Sequence, residues 1–115
     1  MTDLSQYKGQ FMVIVGNAMK TLLPRIQSKY PWIVGHYYIG SFDGSPDDMW
    51  VYFSHDTREH RITLLTDAVQ ADVRAMTLDG LRCEGYPERS FASLKIEWPT
   101  KEEIDKAGGW YNYLR

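Results

Sequence analysis

The stretch that decides the fold is residues 32–54, WIVGHYYIGSFDGSPDDMWVYFS, in which two β-rich segments flank a polar turn. Residues 32–42 are dense in isoleucine, valine and tyrosine, a composition that favours a β-strand. Residues 43–48 carry a glycine, a proline and three aspartates, which is typical of a turn. Because residues 49–54 return to aromatic and β-branched side chains, the stretch predicts an antiparallel hairpin with a long loop.

A long amphipathic helix is predicted before the hairpin. Between Asp3 and Tyr30 the apolar residues recur every three or four positions, which is the helical period. Thr2 or Asp3 is placed to cap the start of this helix. Pro24 is expected to end or kink it, or to open a short second turn, and Pro31 to prevent continuation past Tyr30.

The segment that follows the hairpin allows two interpretations. Residues 61–65, RITLL, form either a third strand after a turn at residues 56–58 or the beginning of the next helix. A strand followed by a helix is the favoured interpretation. Thr66 with an acidic first turn then marks the start of a central helix, and Asp79-Gly80 is expected to stop it.

A last strand and a short charged helix complete the pattern. Residues 81–90 are predicted to form a polar loop. Residues 91–98, FASLKIEW, alternate between two sets of side chains, which predicts a strand with one buried face. Residues 100–107 predict a short helix, with Thr100 as its N-cap and Glu103 at the capping-box position.

The chain therefore predicts an α+β fold. Gly108 and Gly109 interrupt the charged helix, and residues 110–115 follow as a short extended or helical tail. The expected architecture is a long N-terminal helix, an antiparallel sheet of three to five strands, one central helix and a short C-terminal helix. A chain of 115 residues fits a single domain, residues 1–115, because two separate cores would be too small to be stable.

Composition argues against several classes of protein. The formal net charge is −2 and the thirteen Lys and Arg residues are scattered singly, whereas a nucleic-acid partner requires a clustered positive surface. The only cysteine, Cys83, cannot form an internal disulfide. Residues 1–4 lack a basic leader, and the most apolar run, residues 11–15, is far below spanning length. We therefore expect a cytoplasmic protein with neither a nucleic acid nor a membrane as partner.

The residues that usually carry catalysis show no recognisable arrangement. His36, His55 and His60 match neither the paired-histidine helical motif nor a cysteine-pair metal site. Cys83 is followed by Glu84, which places a negative charge where a reactive thiol needs a positive one. Glycine-rich phosphate-binding motifs are absent from the sequence. We expect no catalytic residue, no metal and no cofactor.

Aromatic and acidic side chains are the best candidates for a partner surface. Four tryptophans and eight tyrosines exceed what one small core easily encloses, although most of these rings are expected to pack in the core or across strands. Exposed tryptophan and tyrosine often anchor interfaces, and acids around them would steer a basic protein towards the surface. The predicted partner-binding residues are Asp43, Asp47, Asp48, Glu102, Glu103, Asp105, Trp110, Tyr111 and Tyr113.

Three stretches carry a resemblance to a known family: residues 48–53 (DMWVYF), 91–98 (FASLKIEW) and 108–113 (GGWYNY). With the order of predicted elements, they resemble small bacterial immunity proteins, the antidotes encoded beside polymorphic toxins such as those of contact-dependent growth inhibition. The layout is similar to the YezG-like immunity fold. The resemblance implies a non-enzymatic inhibitor that binds its cognate toxin domain, commonly a nuclease, and blocks the active site or substrate surface.

Two alternatives stay open at this point. One is a small enzyme with a cryptic site at Cys83 and His60, which requires a pocket that unites them. The other is an accessory domain that associates with itself through an exposed sheet edge. The free chain is expected to be a monomer or a weak dimer.

Overall fold

Two long helices and a three-stranded sheet form the frame of the molecule. The computed structural model describes residues 4–40 and 45–114, and Asp43 therefore lies outside the described residues. The helices are α1 (Leu4–Lys29), α2 (Arg58–Thr63), α3 (Asp67–Cys83), α4 (Lys101–Ala107) and α5 (Trp110–Tyr113); the strands are β1 (Ile33–Ile39), β2 (Trp50–His55) and β3 (Lys95–Glu97). Two 3₁₀ helices, Pro46–Asp48 and Glu88–Ser93, precede β2 and β3. The predicted α+β class is confirmed.

Helix α1 continues through Pro24 and ends at Lys29. Proline removes only the bond to the carbonyl four residues earlier, that of Lys20, and both residues are exposed, so water can bond that carbonyl. The expected stop before Pro31 is confirmed. Of the helices in the described ranges, none combines the length and apolar content that crossing a membrane requires.

The predicted antiparallel hairpin is confirmed. Strands β1 and β2 pair antiparallel, with Tyr37 opposite Tyr52 and Tyr38 opposite Val51. A bulge between Ile33 and Gly35 shifts the register at the start of β1.

Strand β3 makes the sheet mixed. It pairs with β2 in parallel, in the order β1-β2-β3, so the expectation of a wholly antiparallel sheet is wrong for this strand. The chain between β2 and β3 crosses over through α2 and α3, as a parallel connection requires.

The first half of the predicted strand 91–98 is a 3₁₀ helix instead. The guanidinium of Arg74 donates to the carbonyls of Phe91 and Leu94, at 2.8 and 2.9 Å. These bonds hold the two carbonyls towards α3 rather than towards a strand partner. Of the face predicted to be buried, Leu94 is buried, Ile96 and Trp98 are half-buried, and Ala92 is exposed.

The favoured third strand at residues 61–65 is wrong, because Arg58–Thr63 is the helix α2. Thr63 and Leu64 are exposed, so this apolar run provides no buried strand face. The start of the central helix is confirmed, since Thr66 Oγ1 accepts from the backbone N–H of Val69 at 3.2 Å.

Helix α3 passes Gly80 and ends only at Cys83, so both the predicted stop and the predicted loop from residue 81 are wrong. Gly80 instead lies against α1. A methyl group added there would lie 2.7 Å from Cγ of Leu22, closer than two carbon atoms can pack. The glycine therefore permits the close approach of the two long helices.

The core lies between these helices and one face of the sheet. Val51 and Phe53 of β2 are completely buried there. They belong to one buried cluster that also includes Met19 of α1 and Val73 of α3. We call this side of the sheet the inner face.

The C-terminal segment follows the predicted signals. Thr100 Oγ1 accepts from the N–H of Glu103 at 3.0 Å, which confirms the N-cap. Gly108, at a φ of 96°, ends α4 in the left-handed region that favours glycine. The tail is helical, as the one-turn helix α5.

Hydrogen bonds join the first 3₁₀ helix to the second and to Tyr86, which precedes the second helix. Tyr86, only 2% exposed, donates its hydroxyl hydrogen to the carbonyl of Pro46. Ser90 Oγ donates to Asp47 Oδ1 at 2.6 Å. Burial, with a smaller effect of the Asp47 charge, raises the pKa of Tyr86 to about 12.

We predict that Gly80→Ala destabilises the protein by about 1–3 kcal/mol through overpacking against Leu22. Alanine is otherwise the better helix former by about 1 kcal/mol. In a Leu22→Ala background the same change should therefore be neutral or stabilising. Chemical denaturation of the four variants measures this cycle; equal effects of Gly80→Ala in both backgrounds would show that the two side chains do not compete for space.

We predict a loss of stability at high pH that depends on Tyr86. Its folded pKa of about 12 exceeds the unfolded value of about 10, so its contribution is complete below pH 10 and is lost as the pH rises towards 12. The loss should reach about 2–3 kcal/mol across that window. Tyr86→Phe removes the hydroxyl, and its free energy of unfolding should fall less steeply with pH; parallel curves would contradict the assignment.

Candidate protein-binding surface

Five side chains form an aromatic face on the side of the sheet away from α1 and α3. Side chains alternate along a strand, so the burial of Val51 and Phe53 places their neighbours on the opposite side. We define the aromatic face as the residues Tyr37 and Ile39 of β1, Trp50 and Tyr52 of β2, and Trp110 of α5.

The rings of this face are packed in favourable geometries. Trp110 stacks on Tyr37, with ring centroids 5.4 Å apart and planes 22° apart. It is tilted against Tyr52 at 6.1 Å, and Tyr52 in turn stacks with Trp50 at 6.3 Å and 14°. Tyr113 meets Trp110 edge-on at 6.3 Å. These separations fall within the range of attractive aromatic pairs, so the rings hold one another in place.

The face is only partly covered. Tyr37 is 39% exposed and Ile39 is 41% exposed. On α5, Tyr111 is 78% exposed. Helix α5 has a single turn and covers the row of Tyr37 and Tyr52 through Trp110. The neighbouring row of Ile39 and Trp50 has no ring stacked over it from α5 in the described part of the chain.

Charges of both signs border the face along β3. The ammonium of Lys95 lies 4.5 Å from the ring centroid of Trp50, a cation–π contact. Glu97 is paired in register with Tyr52. Burial raises the pKa of Tyr52, and the charge of Glu97 adds to the shift. At neutral pH the hydroxyl of Tyr52 is therefore protonated and can donate a hydrogen bond.

Two of the three predicted aromatic residues, Trp110 and Tyr113, have ring contacts at this face, and Tyr111 lies between them on α5. Trp110 and Tyr113 are half-buried, while Tyr111 projects into solvent. Burial raises the pKa of Tyr113, with a further contribution from Glu103. Trp110 thus serves as a packing residue of the face, and Tyr111 offers the largest free ring surface of the three.

The predicted acids of the hairpin loop have separate roles. Asp43 lies outside the described residues. Asp47 accepts the hydrogen bond from Ser90, which makes its carboxylate part of the fold. Asp48 is exposed at the end of the same 3₁₀ helix.

The predicted acids of α4 lie among basic side chains. Glu103 pairs with Arg61 at 3.3 Å, and Asp105 pairs with Lys101 at 2.7 Å. Glu102 and Glu103 line a shallow depression of about 440 Å³ together with Arg61, Thr100 and Lys106. The surface of α4 therefore presents both signs of charge rather than an acidic patch.

The two groups of acids do not form one rim. Asp47 and Asp48 precede the start of β2, whereas His55 at the end of β2 bridges to Thr100, directly before α4. A strand of six residues separates them, a distance of about 20 Å. The structure brings the aromatic residues together and keeps the acids apart.

The residues that sequence reasoning missed as site residues are Tyr37, Ile39, Trp50 and Tyr52. The sequence feature that indicates these residues is the alternation of side chains within the hairpin. Tyr37 and Ile39 share one side of β1, and Trp50 and Tyr52 share one side of β2. The pattern shows which residues share a side but not which side is left open by the helices.

Among the described residues, no group of three or more His, Cys, Asp or Glu side chains lies close enough to hold a metal ion. His55 is buried, with its ring nitrogens 3.0 and 3.1 Å from the carbonyl oxygens of Thr57 and Trp98. Burial lowers the pKa of His36.

The cryptic site at Cys83 and His60 requires a pocket that the topology does not provide. Helix α2, which holds residue 60, precedes the start of α3, whereas Cys83 is the last residue of α3, about 25 Å further along. Cys83 lines a groove between α1 and α3 of about 200 Å³, smaller than the roughly 300–1,000 Å³ of typical ligand pockets.

Comparisons of the chain with protein-family models, with curated proteins and with solved structures found no match.

We predict that Trp110→Ala lowers the pKa of Tyr52 towards its usual value, because burial is the largest cause of its elevation. Tyr111→Ala, one residue along and exposed, is the matched control and should leave this pKa unchanged. NMR titration of the tyrosine ring resonances measures both. An unchanged Tyr52 pKa in Trp110→Ala would mean that the sheet rather than α5 buries the phenol.

Proposed function

We propose that this chain is an immunity protein that binds a cognate toxin domain, a nuclease, through its aromatic face and blocks the active site or substrate surface. The observation that carries the proposal is a set of stacked tyrosine and tryptophan rings left partly open to solvent on one side of the sheet. The resemblance of three stretches to immunity proteins supports the choice of partner.

The packing of the rings suits them to tight binding. A side chain that must be immobilised on binding costs about 0.5–1.5 kcal/mol. The ring of Tyr37 is already stacked against Trp110, and Trp50 against Tyr52. Such rigid rings supply contact area at low entropic cost, and central aromatic residues often carry most of the energy of an interface.

The arrangement of charges assigns a smaller role to acid steering than the sequence indicated. Two of the three predicted α4 acids are engaged in ion pairs with Arg61 and Lys101, and Lys95 lies on the aromatic face itself. Contacts of apolar and hydrogen-bonding groups are weakened little by salt, unlike contacts between exposed charges. The proposed complex should therefore persist at high ionic strength.

The proposed site of action is the cytoplasm, where an incoming nuclease meets its substrate. The decisive experiment is co-expression with the toxin domain encoded immediately upstream of the gene. The chain should restore growth and inhibit the purified toxin at a ratio of one to one, without turnover. A toxin domain that is neither bound nor inhibited by the chain would refute the proposal.

We predict that Ile39→Glu weakens binding of that toxin domain by at least about 30-fold, the effect of losing 2 kcal/mol at a central contact. Val13→Glu is the matched control, because Val13 is also an exposed apolar residue (58%, against 41% for Ile39) but lies on α1. It should change the affinity by less than about threefold. Titration calorimetry measures both; equal losses would place the binding surface elsewhere.

We also predict that Glu102→Lys has a small effect on affinity, below about fivefold, because α4 already presents both signs of charge. A large loss in this variant, with little loss in Ile39→Glu, would favour acid steering over the aromatic face. Association rates at two salt concentrations distinguish the two mechanisms.

A further inference from the structure

The two edges of the sheet differ in how they are protected against further strand pairing. Strand β3 has three residues, two of them charged, and Pro99 follows two residues later. Short length, charge and proline are the features by which proteins block an edge. Strand β1 has seven residues, IVGHYYI, with no Lys, Arg, Asp, Glu or Pro. In the described part of the chain the only strand paired with it is β2.

Backbone hydrogen bonds at the two ends of β2 determine which residues of β1 face outward. The N–H of Lys95 donates to the carbonyl of Met49, and the N–H of His55 donates to the carbonyl of Pro99. Backbone groups of alternate residues point to opposite sides of a strand. Odd-numbered residues of β2 therefore bond to β3, and even-numbered residues bond to β1.

The register then identifies the open groups of β1. Tyr52 and Trp50, which bond towards β1, lie opposite Tyr37 and Ile39. Tyr37 and Ile39 thus use their backbone groups in the ladder with β2. The N–H and C=O groups of His36 and Tyr38 point to the other side, away from the sheet, where only a peptide in extended conformation satisfies them in register.

The position of α1 argues against a second copy as the occupant. Helix α1 lies along β1 on the inner face: Met12 is beside Gly40, Gly16 is beside Tyr38, and Gln27 Nε2 donates to the carbonyl of Ile33 at 3.2 Å. Two copies paired antiparallel through β1 would place both α1 helices on the same face, about one strand spacing apart, roughly 4.8 Å. Packed helices require about 8–10 Å.

We propose that the toxin partner supplies an extended segment that pairs with β1 as a fourth strand of the sheet. This inference rests on the proposed function and specifies which element of the toxin partner contacts the aromatic face. Side chains of the added strand on the outer side would lie beside Tyr37 and Ile39. At the alternate positions that lie beside Tyr37 and Ile39, the segment should therefore carry aromatic or β-branched residues. On the inner face, where α1 lies, the segment should have no helix of its own packed against it.

The test is amide hydrogen exchange of the full chain, free and bound to the toxin domain. In the free chain the amides of His36 and Tyr38 should exchange at least about tenfold faster than that of Tyr37, which donates within the sheet. Binding should slow exchange at His36 and Tyr38 at least about tenfold. A bound complex without protection at these two amides would overturn the proposal.

Substitution of His36 separates the backbone from the side chain. His36→Pro removes the outward N–H and leaves the ladder with β2 intact, since proline is tolerated at edge positions whose N–H faces away from the sheet. It should weaken binding at least about tenfold. His36→Ala, which keeps the N–H and loses the same ring, should bind within about threefold of the wild type. Equal affinities of the two variants would overturn the proposal.

Two further outcomes separate this inference from the proposed function. If the toxin domain does not bind at all, the test uses random linear peptides displayed on phage. Peptides that bind the wild-type chain are kept, and those that also bind His36→Pro are removed. Enrichment of alternating aromatic or β-branched peptides would support the edge without the toxin, and no enrichment would overturn it. Concentration-dependent dimerisation that protects His36 and Tyr38 would also overturn it, by making a second copy the occupant.

Discussion

The alternation of side chains along β2 is the constraint on which the rest of the structure depends. This strand is the only one in the described sheet with a neighbour on each side, and its apolar residues Val51 and Phe53 are completely buried. Their burial under α1 and α3 dictates that Trp50 and Tyr52 lie on the opposite face. A shift of one residue in register would exchange the two sets and place tryptophan and tyrosine in the core. The alternation within the six residues of β2 thus determines both which side chains enter the core and which form the aromatic face.

The parts of the fold that sequence reasoning predicted are those set by local signals. Apolar spacing identifies α1, turn composition identifies the hairpin, and threonine caps identify the starts of α3 and α4. The errors occur where tertiary contacts override those signals. The local sequence around Gly80 indicates a helix stop, but Leu22 lies against this glycine within the helix. The local sequence of residues 91–93 indicates a strand, but Arg74 binds the carbonyls of Phe91 and Leu94. Neither partner is near in sequence, so a local pattern contains no trace of them.

The candidate surface was predicted in part for the same reason. Trp110, Tyr111 and Tyr113 were identifiable because they follow a glycine pair at the end of a charged helix. The acids were grouped by type, although a strand of six residues separates Asp48 from α4 and basic residues accompany Glu103 and Asp105. Charge counts give no information on pairing, whereas the alternation of Tyr37, Ile39, Trp50 and Tyr52 does give information on position. A strand pattern with aromatic residues on its second face is the more useful signal here.

The partial exposure of the aromatic face follows from which elements cover each face of the three-stranded sheet. Two long helices pack against the inner face, and in the described part of the chain the rings of the opposite face are covered by Trp110 of α5, a single turn that follows Gly108 and Gly109 at φ values of 96° and 113°. That turn is long enough to seat Trp110 over Tyr37 and Tyr52 and too short to reach the whole sheet. Ile39 stays exposed beside it at the edge strand, next to the outward backbone groups of β1. The exposed side chains and the open backbone groups therefore adjoin, so that one extended partner segment can satisfy both.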